Sequence, residues 1–309
     1  MTTEGVIVRP AALGDTLMLL PALAGMADGA NITVVGRTPG LNLLKPYLAG
    51  TGDYDRGGWH RLFIDGPAPP PNLPLSGATQ AALFLKDPEA RVKHHLTSLF
   101  PNMAIKIFPP FPPKGDKNHT ALYLARCLKS AGFSLQPEEA FLLARRRHLL
   151  GNRAPDVHGK DILFHPGSGG RGKNYSHQFW IALIDEVREN ALGETGPLRV
   201  LLGPAEEKVV PFFKDSFDHR KVIVDLCPSM DRLVPILENG ALYIGHDSGI
   251  THLAALVGIP TLALFKSSSL EQWHPLGVRV HVLEALEAET DLLDRAIAEG
   301  RRLLHGGKV

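Results

Sequence analysis

The stretch from Ala241 to Phe265, ALYIGHDSGITHLAALVGIPTLALF, leaves this chain few folds to adopt. It reads as a short apolar strand ending at Gly245, a tight polar loop, a helix starting near Gly249 and a second apolar strand from Thr261. Short, wholly apolar strands of this kind belong to a parallel sheet. In such a sheet ligands sit beyond the carboxyl ends of the strands. A helix N-terminus placed there attracts anions, phosphate above all, because its first amides lack intrahelical partners. His246-Asp247-Ser248-Gly249 occupies that place. A carboxylate there would repel phosphate unless it is turned aside to cap the helix amides. The plainer alternative is that Asp247 and Ser248 form a helix N-cap and nothing more.

Two further loops of the same kind argue against that alternative. Val6 to Arg9 is a short strand, and Gly14-Asp15 follows it directly before an apolar helix. Ile162 to His165 is a strand that breaks into Pro166-Gly167-Ser168-Gly169-Gly170, with Arg171 and Lys173 just beyond. Three polar, glycine-bearing loops at strand ends make a constellation.

The remaining sequence follows a βα rhythm in both halves. In the first, Ile32–Val35, Leu62–Ile64, Ala82–Leu85 and Ile105–Phe108 read as strands, Asp15–Ala27 and Thr120–Ala131 as helices, and Pro67–Pro74 as a connector. In the second, strands at 200–202, 222–224, 242–244 and 261–265 complete a parallel sheet. Helices cover His177–Ala191, with Ser176 as N-cap, and Asp291–Leu304. A chain of 309 residues accommodates two domains of roughly 150 residues each. Gly151 to Lys160, rich in Gly, Asn, Pro and charge, is the linker, which gives domains over residues 1–155 and 156–309. The terminal helix is free to pack back on the first domain. Facing one another, two such domains form a cleft lined by both loop-bearing edges.

Composition narrows the function further. With 33 basic and 32 acidic residues the net charge is +1, which argues against nucleic acid as a partner. Two distant cysteines and 14 histidines fall in no metal-ligand spacing, so no metal is expected. No apolar run reaches the length of a membrane span. Asp15, Pro21 and Glu4 argue against an export signal at the start, which points to the cytoplasm.

The loops suggest a chemistry. Lys173 and the helix starting near Gly249 can hold a diphosphate, and Asp15 offers a carboxylate from the other domain. Glu206, after Leu202-Gly203-Pro204-Ala205, can accept hydrogen bonds from ribose hydroxyls. The GxGxxG fingerprint is missing after the first strand, and so is a Walker sequence. A nucleotide sugar fits better than a bound dinucleotide. Its nucleoside diphosphate leaves the anomeric carbon while a base deprotonates the acceptor hydroxyl.

The segments GDTLMLLP (14–21), HPGSGGRGK (165–173), LLGPAE (201–206) and DSGITHLAALVGIP (247–260) resemble, in this order, the motifs of glycosyltransferase family 9, the heptosyltransferases of bacterial lipopolysaccharide assembly. The resemblance implies a GT-B fold, α/β with two Rossmann-like domains whose parallel sheets face across a cleft. The first domain would serve the acceptor and the second the nucleotide-sugar donor. It implies an inverting, metal-independent transfer without a cofactor, with ADP-heptose as donor and a lipid A–core saccharide as acceptor. It makes Asp15 the general base and Lys173 the phosphate-binding lysine, with Glu206 contacting the nucleoside. Ser168, Gly169, Asp247, Ser248, Gly249 and His252 become donor contacts, and Trp273 with Pro275 matches a downstream W-x-P. Arg9 and Gly14 are acceptor-side candidates, and Pro109–Lys114 is a candidate for peripheral contact with the inner membrane face.

Three departures from the family pattern lie beside the donor loop. Tyr175-Ser176 stand for Trp-Pro, Lys266 for a glycine, and His246 for a common asparagine. Two alternatives therefore stay open: a transferase with another nucleotide-sugar donor, and a non-catalytic nucleotide- or saccharide-binding module of the same fold. Each residue also has its plainer role. Asp15 is a possible helix cap, Lys173 a solvated lysine, and His252 a core histidine. Glu207 is a rival to Glu206.

Overall fold

The computed structural model describes residues 4–26, 30–64, 73–75, 77–151, 159–189, 196–217, 222–284 and 289–305. The chain divides into two compact units, Met1–Leu143 and Ala144–Val309. Most of the Pro-rich connector and of the segment 151–160 lies outside the described residues.

The first unit carries a parallel sheet of five strands: β1 (Glu4–Arg9), β2 (Asn31–Gly36), β3 (Gly50–Asp53), β4 (Gln80–Phe84) and β5 (Ala104–Phe108), in the order β3-β2-β1-β4-β5. Register runs Ile7↔Val34 toward β2 and Ile7↔Ala82 toward β4. The strand order reverses beside β1, which puts the loop carrying Gly14 and Asp15 at the topological switch point. The apolar run expected as one helix is two, Leu13–Leu17 and Leu20–Ala24, with Pro21 in the first turn of the second. Leu62–Ile64 is not a strand. Trp59–Phe63 is a 3₁₀ turn that buries Trp59 and Leu62 and leaves Ile64 exposed. Strand β3, whose sequence GTGD has no apolar residue, pairs only with β2 at the sheet edge.

The second unit carries six parallel strands: β6 (Asp161–His165), β7 (Leu198–Leu202), β8 (Val222–Leu226), β9 (Gly240–His246), β10 (Thr261–Phe265) and β11 (Val280–Glu284), in the order β11-β10-β9-β6-β7-β8. Here the order reverses between β6 and β9, so the loops after these two strands lie side by side, with His165 opposite Gly245. One face of the sheet is filled by Trp180, Leu183, Ile184 and Val187 of helix His177–Glu189 and by Leu292, Ala296 and Leu303 of the terminal helix, Glu289–Leu304. That terminal helix packs on His177–Glu189 and on β9, β10 and β11. Among the described residues no helix is long and apolar enough to cross a membrane.

Candidate functional site

The loop after β9 owes its shape to the helix it starts, Gly249–Val257. Ser248 is the N-cap, its hydroxyl accepting the Thr251 amide at 3.3 Å. The first intrahelical bond runs from His252 N to Ser248 O. The amides of Gly249 and Ile250 therefore precede any intrahelical acceptor and face out of the helix start. Gly258 ends the helix in the left-handed region at φ 95°, a conformation glycine adopts without steric cost. The capping role allowed to both Asp247 and Ser248 thus falls to Ser248.

Asp247 is turned elsewhere. Its Oδ2 accepts a hydrogen bond from Lys173 Nζ at 2.5 Å and another from Ser268 Oγ, and its Oδ1 lies 3.7 Å from His252 Nε2. The carboxylate is nearly buried, which opposes its charged form. His252, Lys173 and Ser268 outweigh that effect and hold it well below the usual carboxylate range. His252 is itself 2% exposed, and its Nδ1 has no hydrogen-bond partner among the described residues. The pairing of Lys173 with Asp247 removes the repulsion between Asp247 and a phosphate. Repulsion would otherwise oppose any anion at this helix start.

The loop after β6 reaches the same place. Ser168 Oγ donates to Asn174 Oδ1 at 2.6 Å and accepts the Gly170 amide at 3.3 Å. Gly169 is exposed, with open space around the position of a Cβ. Glu206 lies in the short 3₁₀ helix Pro204–Val209 after β7, and its Oε2 accepts the Gly203 amide at 2.9 Å. Its carboxyl sits against Gly167, where a Cβ would come within 2.2 Å of the Glu206 Cδ. Burial pushes this carboxyl up, opposed by the Gly203 amide. Ser168, Gly169, Lys173, Glu206, Asp247, Ser248, Gly249 and His252 therefore all lie on the carboxyl edge of one sheet. Ser268, which the sequence did not single out, joins them from the turn after β10.

In the first unit Asp15 stands in the first turn of helix Leu13–Leu17, whose N-cap is Ala12 with no side-chain cap. Asp15 is therefore not the N-cap residue of this helix, and it is partly exposed. Arg9, at the end of β1, is 1% exposed. Its Nε donates to the Asp15 carbonyl at 2.9 Å and its Nη1 to the Pro110 carbonyl at 2.7 Å, while its Nη2 has no hydrogen-bond partner among the described residues. The guanidinium lies 5.7 Å from the Phe84 ring centroid and 5.6 Å from that of Phe111. Burial lowers its pKa to about 10, with nearby Asp15 opposing the fall, so it stays charged at neutral pH. Arg9 thus ties the Asp15 turn to the loop Pro109–Pro113.

The three departures from the family pattern meet in one cluster. Tyr175 and His246 stack at 5.3 Å between centroids, and Trp180 meets His246 edge-on at 5.0 Å. His246 Nε2 accepts the Tyr175 amide at 2.9 Å, which fixes that nitrogen as bare. Burial, with some help from neighbouring His165, lowers the pKa of His246 to about 3, so the ring is neutral. Lys266 Nζ lies 5.1 Å from the Tyr175 centroid. Ser176 caps its helix as expected, through the Phe179 amide at 3.1 Å, and also donates to Glu289 at 2.6 Å. Among the described residues no group of three or more His, Cys, Asp and Glu side chains is placed to hold a metal ion.

Comparison with known proteins assigns the architecture. Residues 89–297 match the family model described as glycosyltransferase family 9 (heptosyltransferase). No curated protein sequence matches the chain. Among solved structures it is similar to the E. coli heptosyltransferase WaaC with ADP, at 15% identity and a TM-score of 0.69 over 96% of this chain and 100% of that one. It is also similar to the E. coli ADP-heptose lps heptosyltransferase II, at 14% identity and 0.66 over 98% and 99%. A third match is the family 9 glycosyl transferase of Veillonella parvula, at 15% identity and 0.64 over 98% and 93%. With two parallel-sheet α/β units, the fold is GT-B.

Proposed function

The chain belongs to glycosyltransferase family 9, and from that premise we propose that it is an inverting heptosyltransferase acting from ADP-heptose on a lipopolysaccharide-core saccharide. The observation that carries the donor half of this reading is the loop after β9. There a buried carboxylate is neutralised by Lys173 beside the first-turn amides of Gly249 and Ile250, which precede the first intrahelical bond, at the switch point of a parallel sheet. Such a place suits a diphosphate. Glu206, held over Gly167, is the candidate for the ribose hydroxyls.

In this reading the transfer is one displacement. The acceptor oxygen attacks the anomeric carbon as its proton passes to Asp15. The bond from that carbon to the diphosphate breaks, and the leaving charge is stabilised by Lys173 and the amides at Gly249 and Ile250. Arg9 and Gly14 shape the turn that carries Asp15, and the loop Pro109–Pro113 is the surface offered to a lipid-linked acceptor. Work at the inner membrane face is consistent with this assignment.

A different nucleotide-sugar donor is the second reading, favoured by the Tyr175–His246–Lys266 cluster beside the same loop. Thermal unfolding with ADP, UDP or GDP separates the two. A nucleotide at 100 times its dissociation constant adds ~2.7 kcal/mol to the stability of the state that binds it. Stabilisation by ADP above the others, followed by mass detection of a heptosylated product, supports the proposal. Stabilisation by UDP or GDP alone removes ADP-heptose as donor.

A further inference from the structure

The cations at the donor edge of the second unit are not equivalent. Lys173 is committed to Asp247, so this pair together contributes no net charge to an incoming diphosphate. Glu206 adds a carboxyl to the same edge. Lys266 is different. It follows the last residue of β10, and Leu264, two residues earlier, is the register partner of His246. The backbone at Lys266 therefore leaves the sheet beside the Asp247–Gly249 loop. Its ammonium donates to the Asn174 carbonyl at 3.2 Å and lies over the Tyr175 ring. Among the described residues no carboxylate pairs with it, and it is exposed.

Its position is set by an aromatic stack rather than by a counter-ion. Tyr175 holds the lysine over its ring and stacks on His246, which Trp180 meets edge-on. His246 accepts the Tyr175 amide, which locks Tyr175 onto the strand end. A neutral ring beneath Tyr175 is needed for this arrangement, since a charged imidazolium would repel the ammonium above it. Asn174, which Lys266 touches through its carbonyl, is also the partner of Ser168. The lysine thus bridges the loop after β6 and the turn after β10 while keeping its charge uncompensated.

We propose that Lys266 is a diphosphate-binding cation of the donor site, adding beside Lys173 the net positive charge that the Lys173–Asp247 pair lacks, and that the Tyr175–His246 stack is its positioning device. The inference rests on the transferase reading and adds to it a binding and leaving-charge role for a residue outside the segments that first suggested a site.

The test uses the full chain and two substitutions. Lys266→Met keeps an unbranched stem over Tyr175 and removes the charge, and Lys266→Arg keeps the charge. Binding is measured by calorimetry with whichever of ADP, UDP and GDP binds the unaltered chain most tightly, and with its own nucleoside lacking phosphates. We expect Lys266→Met to weaken the diphosphate about tenfold, to leave the nucleoside unchanged and to flatten the salt dependence of diphosphate binding. Lys266→Arg should restore most of the affinity. Equal diphosphate affinity in the unaltered chain and Lys266→Met overturns the inference while the nucleotide reading stands. Equal weakening of diphosphate and nucleoside overturns it too, because the lysine would then be only a tether for Asn174 and Tyr175. Absence of binding by all three diphosphates to the unaltered chain overturns the donor reading and this inference together.

Discussion

Acidification should destabilise the second unit by an amount that His246 lets one calculate. His246 is fully buried, its Nε2 accepts a backbone amide, and burial lowers its pKa from 6.5 to about 3. His165, likewise buried, is lowered to about 4 by burial against the opposing pull of the Leu201 carbonyl. Between these values and 6.5 the unfolded chain binds protons that the folded chain does not, so stability rises with pH in that window and falls as pH drops through it. At pH 5 each unfolded imidazole is almost fully protonated and each folded one is not. The cost relative to pH 8 is therefore ~2 kcal/mol per histidine, and it depends little on how far below 5 the folded value lies. His246→Gln keeps an acceptor for the Tyr175 amide but does not titrate. It should lose ~2 kcal/mol less than the unaltered chain between pH 8 and pH 5, the other histidines cancelling in the difference. The assay is urea unfolding followed by tryptophan fluorescence, in a Trp59→Phe background so that the signal comes from Trp180 and Trp273 of the second unit. If both chains lose the same stability on acidification, His246 is not buried as a neutral acceptor and the account of the stack fails.

Three further outcomes follow from the same geometry. Asp15→Ala should lower turnover ~10²–10⁴-fold, the usual worth of general-base assistance, while ADP affinity measured by calorimetry stays unchanged. A parallel loss of ADP binding would make Asp15 structural. Arg9→Met removes the charged donor to the partly buried carbonyls of Asp15 and Pro110, at ~1.5–3 kcal/mol each, partly offset because a buried charge is removed. It should lower both the urea midpoint of the first unit and turnover, and unchanged turnover would sever Arg9 from the Asp15 turn. Gly167→Ala puts a methyl into the space held by the Glu206 carboxyl, which must swing away. Nucleoside affinity should then fall several-fold with the fold intact by circular dichroism, and unchanged affinity would remove Glu206 from the nucleoside site.

Much of this molecule was legible in its sequence because the signals were local. Apolar runs marked β1, β6, β9 and β10, and the polar residues following β1, β6 and β9 stand at strand carboxyl ends where expected. Ser176 was readable as a cap because capping is decided within one turn. Elements whose sequence contradicts their environment were not. Strand β3 is polar because it lies at a sheet edge, and Leu62–Ile64 looks like a strand although only Leu62 of the three is buried.

The sequence by itself determined the α/β class, the parallel strands and which loops bear polar groups, since periodicity and glycine placement act over a few residues. Only the tertiary structure decided how those groups share their bonds. Lys173 meets Asp247 across 74 residues, Tyr175 meets His246 across 71, and Lys266 meets Asn174 across 92. Those pairings depend on the order of strands in the sheet. That order is set by packing both faces of the sheet rather than by any local preference, so no window of sequence carries it.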